Sequence, residues 1–87
     1  MHAVVTKVTI NDQEAAESHL RDQVVTGVSR APGFVAGYWT RKDDTGVAMV
    51  VFESEEAATG MSERNPSMLP AEVTLESTEV LEVVVHA

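Results

Sequence analysis

The sequence predicts one α+β domain, two helices on a four-stranded antiparallel sheet, in the order β-α-β-β-α-β. Three observations carry this reading. Breaker-free runs rich in β-branched residues alternate with two segments of helical periodicity. The turn Pro32-Gly33 feeds directly into a run that holds three of the four aromatic residues, including the only Trp. The 87 residues leave room for a single core, so residues 1–87 are one domain.

The run from His2 to Ile10 is the first strand. Val4, Thr6, Val8 and Ile10 share one face and Ala3, Val5, Lys7 and Thr9 the other, and two largely apolar faces predict a central strand. Asn11 is the expected helix cap, with Glu14 three residues on as in a capping box. Ala16, Leu20, Val24 and Val28 then recur every four residues as one buried stripe, with Glu17, Arg21 and Asp22 away from it. Pro32 ends this helix near Ser29 to Ala31, because the residue before a proline avoids helical geometry.

Phe34 to Arg41 is the second strand, Lys42 to Gly46 a polar hairpin loop, and Val47 to Phe52 a third, almost wholly apolar strand. Ser54 caps the second helix, and Glu55 and Glu56 suit the positive end of its dipole. Ala57, Ala58 and Met61 form its buried stripe, and Gly60 and then Asn65-Pro66 are expected to limit it to about three turns. A connector over Ser67 to Glu72 leads to a last strand, Val73 to Val85. Its odd positions, including Val73, Leu75 and Leu81, predict one apolar face.

Short connections and right-handed crossovers turn this order into a ferredoxin-like sheet, with strands one and three central and both helices on one face. The other face then shows Val5, Trp39, Val47, Met49, Val51, Val80 and Val84 to water, and such a patch marks an interface or a ligand site. A chain this short buries only about two thirds of its unfolded surface, so face-to-face pairing in a homodimer is expected.

Bulk composition excludes several function classes. There is no Cys, hence no disulfide, thiolate metal site or Cys nucleophile. Fourteen acidic against six basic residues give a formal charge of −8, which argues against nucleic acid as a partner. No signal-peptide pattern opens the sequence, and no apolar run approaches the ~20 residues of a membrane span. The expected location is the cytoplasm, away from the membrane.

The run Pro32-Gly33-Phe34-x-x-Gly37-x-Trp39, the hairpin into Val50-Val51-Phe52, the helix start Glu55-Glu56-Ala57-Ala58 and the Glu-Val-rich last strand resemble the dimeric α/β-barrel superfamily of the antibiotic-biosynthesis-type monooxygenases. The resemblance covers essentially the whole chain and is greatest to small members with no assigned activity. It implies a barrel closed by two sheets, with ligands between sheet and helices or inside the barrel. The first expectation is a homodimer that binds a small apolar or aromatic molecule, with no cofactor. The alternatives are a cofactor-independent monooxygenase acting on an activated phenolic or anthrone-like substrate, and a purely structural or regulatory dimer. Heme-degrading members pair an Asn on the first strand with a His on the second helix. Here Asn11 falls at the strand's end and Ala57 to Arg64 contains no His, which disfavours that chemistry. Quinone-forming members use Asn, Trp, Tyr and Arg, and Asn11, Trp39, Tyr38 and Arg41 supply those types without a positional match.

The candidate ligand-binding residues are Trp39, Tyr38, Lys7, His19 and Arg41. Trp39 and Tyr38 either pack a core or interface or form a stacking wall, and strand alternation puts only one of them on the helix side. His19 beside the helical stripe is either a general base near neutral pH or a His flanking the helix face. Lys7, mid-strand in a central strand, either pairs with Glu76 or Glu82 or binds an anion or carbonyl. Arg41 shares the face of Trp39 near the hairpin loop. His2 and His86 fall near one another on neighbouring strands, but further ligands are not evident, so no metal site is expected.

Overall fold

The computed structural model describes residues 1–68 and 73–87, residues 65–68 through their backbone. Four strands, β1 (His2–Ile10), β2 (Phe34–Lys42), β3 (Thr45–Phe52) and β4 (Val73–Glu82), form one antiparallel sheet in the order β2-β3-β1-β4. The two most apolar strands are therefore central, and the topology is ferredoxin-like.

The first helical segment runs from α1 (Gln13–His19) through a π-helical turn (Leu20–Val24) into α2 (Val25–Ser29). Its cap is Asp12 rather than Asn11: the Asp12 carboxylate accepts the N–H of Ala15 at 3.1 Å. Asn11 is held to β4 instead, where its amide donates to Thr74 Oγ1 at 3.3 Å. The π turn accounts for the spacing of the buried stripe. At 3.6 residues per turn, a stripe repeating every four residues drifts about 40° per step around the helix. A wider turn rotates it back, so that Leu20 and Val24 stay over the sheet beside buried Ala16 and Val28. Gly27, inside α2, has open space where a Cβ would sit. Gly27→Ala is expected to stabilise the fold by about 0.5–1 kcal/mol, a rise of several degrees in a thermal melt. An unchanged or lower melting temperature would count against this reading of α2.

Helix α3 (Glu55–Met68) is capped as expected, the Ser54 hydroxyl accepting the N–H of Ala57 at 3.2 Å. It does not stop at Asn65-Pro66 but continues to Met68. A proline this near the end deletes one ladder hydrogen bond, and the helix passes it. The remainder of the expected connector, Leu69 to Glu72, lies outside the described residues.

The β2–β3 turn is tighter than the expected loop. Lys42 pairs with Thr45, leaving only Asp43 and Asp44 between them, with Asp43 at φ 56°. Gly33 takes φ 80° in the turn before β2, and its carbonyl accepts the N–H of Glu53 at 2.8 Å, closing that turn onto the end of β3.

Two bulges decide which side chains face the helices. In β2 the register slips between Phe34 and Ala36. Phe34 and Trp39 are an odd number of residues apart, and strict alternation would separate them. The slip puts both on the helix side, Phe34 opposite Phe52 and Trp39 opposite Ala48. Trp39 is thus not on the open face, where strict strand alternation puts it; Tyr38 is there, 63% exposed. In β4 the register slips opposite Lys7 and Val8, so Val73 and Leu75 share the helix side with Thr78 and Val80, while Leu81 faces away. The expected single odd-position face is broken by that extra residue, and Val80 leaves the open patch. The strand also ends at Glu82, and Val84 and Val85 beyond it are 88% and 85% exposed.

The core lies between sheet and helices. Phe52, fully buried, stacks edge-on against Phe34 with ring centroids 6.3 Å apart, and Val4, Val28, Val50, Ala58 and Met61 close around them. His2 Nε2 lies 3.4 Å from Glu55 Oε2, joining β1 to the first turn of α3. Among the described residues, no helix is long and apolar enough to cross a membrane.

Candidate functional site

Cross-strand rows on the helix side build the site. One row sets Trp39, Ala48 and Thr6 side by side, and the next sets Arg41, Gly46 and Val8. In both rows the middle position, on central strand β3, is a small residue. The sheet is therefore dished along β3, with a large side chain from β2 on one flank. Ala16, Leu20 and Val24 roof the hollow, and the result is a cavity of about 170 Å³. Its floor is apolar apart from buried Thr6, whose hydroxyl is satisfied at 3.1 Å by that of Thr78.

The indole of Trp39 folds back over Gly37, two residues earlier on the same face. A Cβ at position 37 would lie 2.7 and 2.8 Å from Cη2 and Cζ3 of that ring, so only glycine admits the close approach. Gly37→Ala is expected to push the indole out of place, shifting the emission of the only Trp and destabilising the fold by about 1–3 kcal/mol through overpacking. Unchanged emission and an unchanged melt would mean that the ring is not held there.

Polar groups gather at the hairpin end of the cavity. Arg41 Nη1 donates to Glu17 Oε1 at 2.8 Å and to Gln13 Oε1 at 3.0 Å, and Gln13 Nε2 in turn donates to the Asp43 carbonyl at 2.9 Å. These contacts tie the first helical segment to the β2–β3 turn. Both charged side chains remain 40–47% exposed, so the pair adds little to stability. Its placement on the cavity rim is the more informative property. His19 lines the cavity where α1 meets the π turn, and its imidazole makes no hydrogen bond among the described residues.

The structure thus brings three of the five candidate residues, Trp39, His19 and Arg41, to one cavity. Tyr38 and Lys7 project from the opposite face of the sheet, both exposed. Lys7 stands opposite Ser77 and makes no ion pair within 4 Å among the described residues. Glu76 accepts from Thr9 at 2.8 Å, and Glu82, opposite His2, falls on the helix-side face. Glu17 and Gln13 are the site residues that the sequence did not single out. With Arg21 they form an i, i+4 row beside the apolar stripe, which reads as a solvated face until the turn after β2 is folded against it. Among the described residues, no group of three or more His, Asp or Glu side chains is placed to hold a metal ion.

No protein-family model matches the chain, and no curated protein matches it. Solved structures do. A heme-degrader from Mycobacterium tuberculosis, MhuD, determined with two hemes bound in its active site, superposes with a TM-score of 0.56. The match is 18% identical and covers 97% of this chain and 98% of that one. At this identity the likeness is one of fold: the two chains share the ferredoxin-like arrangement of a four-stranded antiparallel sheet with helices packed on it.

Proposed function

We propose that the chain is a homodimeric barrel protein that holds a small apolar or aromatic molecule, of single-ring size, between its sheet and its first helical segment. The cavity under Trp39 carries this reading. A volume of about 170 Å³ is comparable to the roughly 150 Å³ apolar cavity known to take up benzene, and below the ~300–1,000 Å³ of sites for drug-sized ligands. Against a tetrapyrrole such as the neighbour's heme stands the sequence of α3, which holds no His to offer an iron. Pairing through the open sheet face is supported by the exposed Tyr38, Val47, Met49 and Leu81, a patch that water does not favour.

The test is a titration with toluene, read by the fluorescence of Trp39, which is the only Trp. Saturable quenching or a spectral shift at a stoichiometry of one per chain is the expected result. A flat titration would remove the cavity reading.

A second reading, cofactor-independent oxygenation of a phenolic substrate, is favoured by one observation: the unpartnered imidazole of His19 faces the same cavity. In that reading His19 takes the phenolic proton and so raises the reactivity of the ring toward dioxygen. Oxygen uptake lost in His19→Ala and retained toluene binding would support it.

A further inference from the structure

We propose that the Arg41–Glu17 pair on the cavity rim selects ligands bearing a neutral hydroxyl group and rejects carboxylates of the same ring size. The proposal rests on the cavity's holding a single-ring molecule and adds which head group that molecule carries. The charged groups of the lining, Arg41 and Glu17, stand together at this end, while the rest of the wall is apolar apart from His19 and the two threonines Thr6 and Thr40, so a ligand lying along the cavity presents one terminus to the pair. Arg41 spends only Nη1 on its two partners. Its Nε and Nη2 make no hydrogen bond among the described residues. Glu17 receives that bond on Oε1, and Oε2 has only Arg21 Nη2 at 3.9 Å, beyond hydrogen-bond range. The rim therefore offers an unspent donor and an unspent acceptor side by side.

A hydroxyl is both donor and acceptor, and it satisfies the two together: its oxygen accepts from the guanidinium and its proton goes to the carboxylate. A methyl group satisfies neither. A carboxylate gains the guanidinium but meets the negative charge of Glu17 a few ångströms away. It also gives the Glu17 oxygen no proton to accept. Gln13 fixes the geometry by accepting from the same Nη1 and anchoring to the Asp43 carbonyl, so the guanidinium is oriented before a ligand arrives.

Toluene, benzyl alcohol and benzoate share one ring and differ in the head group, and each is titrated against Trp39 fluorescence in the full chain. Benzyl alcohol is expected to bind about tenfold more tightly than toluene, the worth of one net hydrogen bond to a charged group, with benzoate the weakest. In Glu17→Gln, at an exposed position where folding is not at risk, the repulsion is gone. Benzoate should then gain at least about tenfold and overtake toluene. Equal affinities for toluene and benzyl alcohol, or benzoate binding best to the unaltered chain, would overturn the selectivity while leaving the cavity intact. No binding by any of the three would overturn both.

Discussion

Trp39→Ala is expected to abolish toluene binding, weakening it by well over tenfold, and to lower stability by about 3 kcal/mol. The indole forms the β2 flank of the cavity and packs on the buried cluster around Phe52. Truncation therefore opens the hollow to solvent as well as removing contacts. Truncation of a large aromatic in a core costs about 3–5 kcal/mol, and partial exposure puts Trp39 at the lower end. In a chain of this size that loss lowers the melting temperature by more than ten degrees. Binding is followed by ligand-observed NMR, since the variant has no Trp to report. Because Trp39 faces the helices, its loss should leave the proposed dimer unchanged by sedimentation. A variant that binds toluene normally removes the indole from the site, and one that becomes monomeric removes it from the helix side.

The Trp39 result also marks where the sequence stopped being legible. Periodicity placed all four strands and both helical segments, because β-branched runs and helical stripes report burial directly. What periodicity does not carry is parity. The bulge at Val35 reverses the faces of β2 after Phe34, and the slip opposite Lys7 reverses those of β4, with no Gly or Pro at either point to announce it. The face of Tyr38 and Trp39 therefore had to come from the ladder. The site suffered similarly. Trp39, His19 and Arg41 drew notice by residue type, whereas Glu17 and Gln13 acquire meaning only through Arg41, 24 and 28 residues later in the chain. Long-range polar pairing leaves no local signature. The small residues Gly46 and Ala48 read as strand filler until the rows across β3 show them framed by Val8, Thr6, Trp39 and Arg41.

Met49→Lys is expected to convert the proposed homodimer to a monomer, raising the dissociation constant by at least about 100-fold. Met49 stands mid-strand on the open face, with Tyr38 on one side and Val5 on the other. A twofold pairing of sheets brings the same patch of both copies together, so one substitution places two unpaired ammonium groups in an apolar contact. Hundredfold corresponds to about 2.7 kcal/mol, less than the usual penalty for one such buried charge. The free chain loses little, since Met49 is already 43% exposed without a partner. Sedimentation gives the answer, with Thr26→Lys on the exposed side of α2 as the control for added charge. A Met49→Lys dimer would mean that the sheets do not meet through this face. If the variant is monomeric and still binds toluene, the cavity is complete within one chain, as its lining residues require. The open face then serves assembly, and the two faces of one sheet carry separate tasks.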